Sequence, residues 1–327
     1  MAGFTEEFVM DGLMMDFPLT LDVVLRRAET QFAHKEVVTR MPDKSWHRYT
    51  YADMAKRARQ LGMALRDLGV TDGDRVATLC WNHYRHLEAY IGIPVSGAVL
   101  HTLNLRLHPD DLTYIVEDAD DKVIIVDESL LPLLNQFKDR IPVQHYIVIS
   151  DSGNVPDGMI EYEQFIAPFD DAHFQPAQLH ENQAAGICYT SGTTGKPKGV
   201  VYSHRSNILH SLVAGLPSAL VMDAADTILP VVPMFHANAW GMPFAAMMLG
   251  PTLVFPGPFL DPDTLLDDFQ AQKVTMSAGV PTIWNGLLAT LAANPGKYDL
   301  HALKRRVVGG AAEPLRQVAD HPAVEER

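Results

Sequence analysis

The 327-residue chain carries 26 Lys and Arg against 40 Asp and Glu, a formal net charge of −14, with 47% apolar residues, 20% charged residues and two cysteines. These values suit a globular protein large enough to bury an extensive core, and they exclude a disordered chain, a collagen-like repeat and a small disulfide scaffold. The acidic balance argues against nucleic acid or an anionic membrane as main partner, so an anion would need a local site of backbone amides and a few placed cations.

The first 25 residues hold no Lys or Arg but do hold Glu6, Glu7, Asp11, Asp16 and Asp22, which is not the pattern of a secretory leader. Met10, Met14 and Met15 read as an apolar packing patch or subunit contact. Leu21, Val24, Leu25, Ala28 and Phe32 form one helical stripe, and Met54, Ala58, Leu61, Leu65 and Leu68 a second. Thr50 and Asp53 predict a capping box at the start of the second stripe. Asp261 followed by Pro262 reads as an N-cap and first-turn proline. Short apolar or β-branched runs at 75–81, 98–103, 122–127, 145–150, 185–190, 227–232, 252–255, 274–278 and 306–308 read as strands, mostly apolar on both faces. Their alternation with helical patterns predicts an α/β fold: two successive α/β subdomains with mostly parallel sheets flanked by helices, over residues 1–180 and 181–327. Residues 151–182, rich in Asp, Pro and Gln, read as the connection between them.

Several candidate sites are weak. Cys80 and Cys188 form no CxxC pair, so neither a zinc site nor a disulfide is suggested, and a reducing cytoplasm is the simplest setting. His83 and His86, and His204 and His210, lack ligand-spaced partners and read as solvated or packing residues. Residues 275–279 (Thr-Met-Ser-Ala-Gly) miss the GxSxG nucleophile pattern at its first glycine. Residues 227–260 carry no Lys, Arg, Asp or Glu and are long enough to span a bilayer. Pro230, Pro233, Pro243, Pro251, Pro256 and Pro258 interrupt them, and an interior proline costs a helix about 3 kcal/mol. The stretch reads as buried backbone or the wall of an apolar cavity.

The most informative segment runs Tyr189-Thr190-Ser191-Gly192-Thr193-Thr194-Gly195-Lys196-Pro197-Lys198-Gly199-Val200. Glycines let a backbone wrap closely around a ligand, and successive N–H groups form an anion nest. Hydroxyls add neutral donors and two lysines add charge; each bond to a charged oxygen contributes about 1.5–3 kcal/mol. Such a loop suits a polyphosphate better than it suits a flexible surface turn. It is not the common P-loop: Thr190 stands where that pattern has glycine, and Pro197 after Lys196 opposes a helix start. Taken alone, His236 and Trp240 in the uncharged stretch read as core residues, and Gly309-Gly310 as a strand-end turn.

This loop resembles the signature of the adenylate-forming superfamily, the AMP-dependent synthetases and ligases. Residues 101–108 (His-Thr-Leu-Asn-Leu-Arg-Leu-His), 232–241 (Val-Pro-Met-Phe-His-Ala-Asn-Ala-Trp-Gly), 277–284 and 307–314 fit that family in order and spacing. The resemblance covers nearly the whole chain and is strongest to bacterial medium- and long-chain fatty-acyl-CoA synthetases. It implies that a fatty acid attacks the α-phosphate of ATP to give an acyl-adenylate and diphosphate, after which CoA displaces AMP. It further implies that Thr190, Ser191, Gly192, Thr193, Thr194, Gly195, Lys196 and Lys198 hold the ATP phosphates, that Thr190 meets Mg²⁺, and that His236 joins Thr190 and Lys196 in catalysis. His236, Ala237 and Trp240 would line the acyl tunnel, with Trp240 its gate. Gly309, Gly310, Ala311, Ala312 and Glu313 would lie against the adenylate.

The implied partners are fatty acid, ATP and CoA in the cytoplasm, with a homodimer as the expected assembly. Two other readings stand beside this one: a CoA ligase for a short, aryl or sulfur-containing acid, and a non-catalytic nucleotide- or acyl-binding fragment. The family continues with a Tyr-Gly-x-Thr-Glu segment, a ribose-binding Asp and a small domain carrying the catalytic Lys. None of these occurs here, so the expectation is an N-terminal portion with little full-reaction activity alone.

Overall fold

A computed structural model describes residues 12, 14–190 and 195–310. Its elements are α1 (Leu21–Gln31), β1 (Glu36–Arg40), β2 (Trp46–Thr50), α2 (Tyr51–Asp67), β3 (Arg75–Leu79), α3 (Tyr84–Val95), β4 (Val99–Thr102), α4 (Pro109–Ala119), β5 (Asp121–Asp127), α5 (Leu131–Leu134), β6 (His145–Ile149), β7 (Ile160–Glu161) and α6 (Tyr162–Ile166). There follow β8 (Ala184–Tyr189), β9 (Gly199–Ser203), α7 (His204–Ala214), β10 (Thr227–Pro230), the single turn α8 (Ala237–Trp240), α9 (Met242–Leu249), β11 (Thr252–Phe255), α10 (Pro262–Ala271), β12 (Met276–Gly279), α11 (Pro281–Ala293) and β13 (Arg305–Val308). The helix starts are locally encoded. Thr50 and Asp53 form the full capping box of α2, and Asp261 accepts the Thr264 N–H ahead of Pro262 in α10.

The strands make two sheets, ordered β7-β6-β5-β3-β4-β8-β9 and β13-β12-β10-β11-β1-β2. Each is parallel apart from one edge strand: β9 runs antiparallel to β8, and β2 to β1. The α/β class with mostly parallel sheets therefore stands. The sheets do not part at residue 180. Strands β8 and β9 extend the first sheet, and the early hairpin β1–β2 extends the second through β1 against β11. Nor are residues 151–182 a bare connection. They supply edge strand β7 and helix α6, whose Glu163 meets Arg57 Nη1 at 2.9 Å and Arg85 Nε at 3.0 Å.

Helix α3 is buried along its whole length and joins the core cluster shared by both sheets. Its Glu88 and His86 side chains find partners in the surrounding elements. Glu88 accepts from Arg57 Nε at 2.7 Å and from the Tyr162 hydroxyl at 2.7 Å. His86 donates from Nδ1 to the Trp81 carbonyl at 2.9 Å and accepts the Thr78 hydroxyl at Nε2, also at 2.9 Å. Burial lowers its pKa to about 3, so the ring stays neutral. The uncharged residues 227–260 become β10, α8, α9 and β11, and among the described residues no helix is long and apolar enough to cross a membrane.

Asp268 on α10 differs in that both of its carboxylate oxygens are buried without such a bond. Neither carboxylate oxygen has a hydrogen-bond partner among the described residues, and the nearest cation, Arg40 Nε, is 3.8 Å away. Burial raises its pKa from 3.8 to about 7. Between those values the folded protein keeps a proton that the unfolded chain has released, so stability falls as pH rises through the window, and the penalty is complete above it. Asp268→Asn is therefore expected to stabilise the protein by about 1–3 kcal/mol near pH 8 and by nothing near pH 4, measured as urea-unfolding midpoints. An equal gain at both pH values would assign the effect to packing instead.

Candidate active site

The glycine-rich loop connects two antiparallel strands. Tyr189 pairs with Gly199 in the β8–β9 ladder. Beyond that pair the Thr190 N–H donates to the Lys198 carbonyl at 3.0 Å, and the Lys198 N–H donates to Thr190 Oγ1 at 3.1 Å. The loop is thus a hairpin closed at its neck, and it leads into a strand, as Pro197 requires, rather than into a helix. Thr190, Gly195, Lys196 and Lys198 are exposed there, and Lys196 Nζ stands 4.6 Å from the centre of the Tyr114 ring. Tyr189 donates to Asp118 Oδ2 at 2.7 Å, tying the strand end to α4. Ser191, Gly192, Thr193 and Thr194 lie outside the described residues, as do Ala311, Ala312, Glu313 and Met10.

The second part of the site is the segment after β10, which the other sheet's residues hold in place. Asn82 donates from Nδ2 to the carbonyls of Pro230 (3.1 Å) and Val232 (3.0 Å), and its Oδ1 accepts the Met234 N–H at 2.8 Å. The buried Tyr90 hydroxyl donates to the Met234 carbonyl. Cys188 Sγ donates to Asn238 Oδ1 at 3.0 Å. That last bond seats the segment two residues before the start of the loop.

Residues 237–241 then turn the wrong way. Ala237, Asn238, Ala239, Trp240 and Gly241 have φ of 43°, 50°, 48°, 53° and 69°, a turn of left-handed helix containing four non-glycine residues. Each such residue costs roughly 1–2 kcal/mol, so the turn survives only because its surroundings over-determine it. Besides the Asn238 bond, His210 Nε2 donates to the Trp240 carbonyl at 2.8 Å. A Cβ on Gly241 would meet the His210 ring at 2.3 Å, so glycine is required where the turn ends.

This turn points the Trp240 indole at the end of β13. A Cβ built on Gly309 would lie 2.7 Å from Trp240 Cη2, so the flat group that Gly309 admits here is the indole itself. Gly310 follows at φ +89°. His236, one residue before the turn, is exposed, which excludes its context-free reading as a core histidine. His204 does pack: it is buried, accepts the Leu21 N–H at 3.2 Å and has its pKa lowered by burial to about 4. His210 is the correction, since it braces the Trp240 turn instead of being merely solvated. Ser277 is buried and donates to the Leu229 carbonyl at 2.6 Å, which leaves it no role as a nucleophile.

Both cysteines are buried and unpaired. Cys80, His83 and Asp127 bring one donor atom each within 4.8 Å of one another. His83 Nδ1 accepts the His86 N–H at 3.1 Å, so Nε2 carries the ring proton and gives it to Asp127 Oδ1 at 2.8 Å. With both ring nitrogens engaged in this way no lone pair faces a cation, and His83 serves as the N-cap of α3. Sequence reasoning missed Asn82, Tyr90, Cys188 and Asn238 as site residues, because each looks ordinary until the two sheets are brought together.

Comparison with known proteins gives the family. The family described as AMP-binding enzyme matches residues 25–321. A long-chain-fatty-acid–CoA ligase of Thermus thermophilus is 47% identical over 307 residues, covering 94% of this chain and 55% of that protein. A medium-chain-fatty-acid–CoA ligase of Ectopseudomonas oleovorans is 41% identical, covering 95% of this chain and 57% of that protein. Among solved structures, an anthranilate CoA ligase in complex with anthranoyl-AMP superposes with a TM-score of 0.81 at 26% identity, over 91% of this chain and 56% of that one. The chain therefore spans a little over half the length of the curated relatives it matches.

Proposed function

The chain belongs to the AMP-binding enzyme family, and on that premise we propose that it serves the ATP-dependent activation of a fatty acid to its CoA thioester through an acyl-adenylate. The observation that carries this reading is the Cys188–Asn238 bond, which places the Trp240 turn beside a hydroxyl, glycine and lysine hairpin. One side offers donors to a polyphosphate; the other offers an apolar, indole-capped wall to an acyl chain, where each buried methylene contributes about 0.8 kcal/mol. Activation is needed because a carboxylate is a poor electrophile, and the mixed anhydride with AMP supplies a leaving group.

In this reading residues 191–194 and Lys196 and Lys198 neutralise the β- and γ-phosphates, and His236 and Ala237 stand where the acid's carboxylate meets the α-phosphate. Gly310 and residues 311–313 take the adenosine, next to the indole that covers Gly309. ATP enters as its Mg²⁺ complex. Thr190 Oγ1 already accepts the Lys198 N–H and can add one oxygen to an ion held mainly by the phosphates and water. CoA is the thiol acceptor.

The test separates the two halves of the site by calorimetry on the 327-residue chain. Lys196→Ala is expected to weaken ATP–Mg²⁺ by about tenfold or more, the worth of one charge-assisted bond, and to leave a fatty-acyl sulfamoyl-adenosine unchanged, because that analogue lacks the outer phosphates. Equal weakening of both ligands, or no binding of either, would refute the assignment. A series of acyl lengths on the same analogue then reads the preferred acid.

A further inference from the structure

Each parallel sheet has a place where the chain's connections diverge. In the six-stranded sheet β10 and β12 are neighbours, and the chain leaves β10 for β11 on one side and β12 for β13 on the other. The Trp240 turn follows β10 and Gly309 follows β13, so the candidate active site stands at that divergence. In the seven-stranded sheet the corresponding neighbours are β3 and β5: the chain leaves β3 for β4 on one side and β5 for β6 on the other. Ligands in open parallel sheets bind beyond the carboxyl ends of the strands at such a point, because the loops part and leave a hollow faced by backbone groups.

At this second divergence there is a cleft of about 710 Å³, within the range of small-molecule sites. Trp81 reaches it from just beyond β3, Arg85 from the first turn of α3, Asp127 and Ser129 from the end of β5 and the turn after it, Asp151 from beyond β6 and Arg40 from the end of β1. The proposed activation of a fatty acid uses none of them.

The hydrogen bonding narrows the occupant. Arg85 is engaged by Asp151 Oδ1 at 2.9 Å and by Glu163. Asp127 accepts from His83 with one oxygen and from the Trp81 N–H with the other. Glu128 accepts from the hydroxyls of Ser150 and Ser152. Arg85 is thereby committed, and Asp127, Glu128 and Asp151 leave the lining acidic, so the cleft presents no cluster of uncommitted cations to a polyphosphate. What it presents is the second carboxylate oxygen of Asp151, and Ser129, whose Oγ accepts Trp81 Nε1–H at 3.1 Å and keeps its own proton to donate. A carboxylate acceptor suits a vicinal diol, a hydroxyl donor suits a ring nitrogen, and an indole wall suits a planar ring. We propose that this cleft binds an uncharged purine nucleoside, with its ribose hydroxyls toward Asp151 and its base against Trp81 and Ser129, as a second site apart from the candidate active site.

Adenosine is the probe, titrated by calorimetry into the full chain in the presence of saturating fatty-acyl sulfamoyl-adenosine. One binding event is expected to remain, and to weaken by about tenfold or more in Asp151→Asn and in Ser129→Ala, both exposed positions. AMP is expected to bind less tightly than adenosine because its phosphate meets Asp127, Glu128 and Asp151. Absence of binding at about 5 mM adenosine would overturn the proposal. So would adenosine affinity untouched by both variants, or AMP binding more tightly than adenosine. Failure of the sulfamate analogue to bind would sink the fatty-acid reading without touching this cleft, whose variants report on it directly.

Discussion

Replacing Asn82 with alanine is expected to destabilise the protein by about 3–5 kcal/mol and to abolish binding of an acyl-adenylate analogue even where the chain remains folded. Asn82 is 5% exposed, and its one amide satisfies two carbonyls and one N–H of residues 230–234. Alanine leaves those three backbone groups buried and unpaired, and each orphan costs about 1–3 kcal/mol, partly shared because the segment can relax. The relaxation carries the second effect, since residues 230–234 lead straight into the left-handed turn that aims Trp240. Asn82→Asp keeps the acceptor for the Met234 N–H but loses both donors and adds a buried charge, so it should be no better than alanine. Urea unfolding gives the first number and calorimetry the second. An alanine variant of unchanged stability would show that the clamp is not made in solution.

That clamp also marks where the sequence stopped being readable. Local signals were legible because their partners are local: Thr50 and Asp53 cap α2 within one turn, and Asp261 with Pro262 opens α10. The loop was legible by composition, since glycine, hydroxyl and lysine in that density have little other use. Strands β1, β2, β7 and β9 were not: β2, β7 and β9 are edge strands with mixed or exposed side chains, defined by the neighbour they pair with, and β1 is an inner strand with only three buried residues between charged ends. The exchange of β1–β2 and β8–β9 between the halves was invisible for the same reason. So was the left-handed turn: Ala, Asn, Ala and Trp prefer the opposite hand, and only the bonds to Asn238 and to the Trp240 carbonyl, from elsewhere in the chain, hold them in this one.

The meeting of Trp240 with Gly309 makes the second large prediction. Gly309→Ala would drive a methyl to 2.7 Å from Trp240 Cη2 and 2.8 Å from Cζ2, well inside contact distance. An indole on a flexible backbone could step aside. This one is carried by a turn pinned at Asn238 and at the Trp240 carbonyl, so the backbone cannot follow and the ring can yield only by leaving its rotamer. Gly309→Ala alone is therefore expected to cost about 1–3 kcal/mol, the usual price of overpacking, and almost nothing in a Trp240→Ala background. If Trp240 is the gate of an acyl channel, Trp240→Ala should also speed association of a long-chain acyl analogue by about tenfold in stopped-flow, with a smaller change for a short-chain analogue whose tail never passes the indole. The two results bear on different claims. Strict additivity of the stability effects would mean that the indole does not rest on Gly309 in solution. A coupled pair with equal association rates at every chain length would keep the contact and remove the gate, because a ring that blocks a channel must slow a chain long enough to need it.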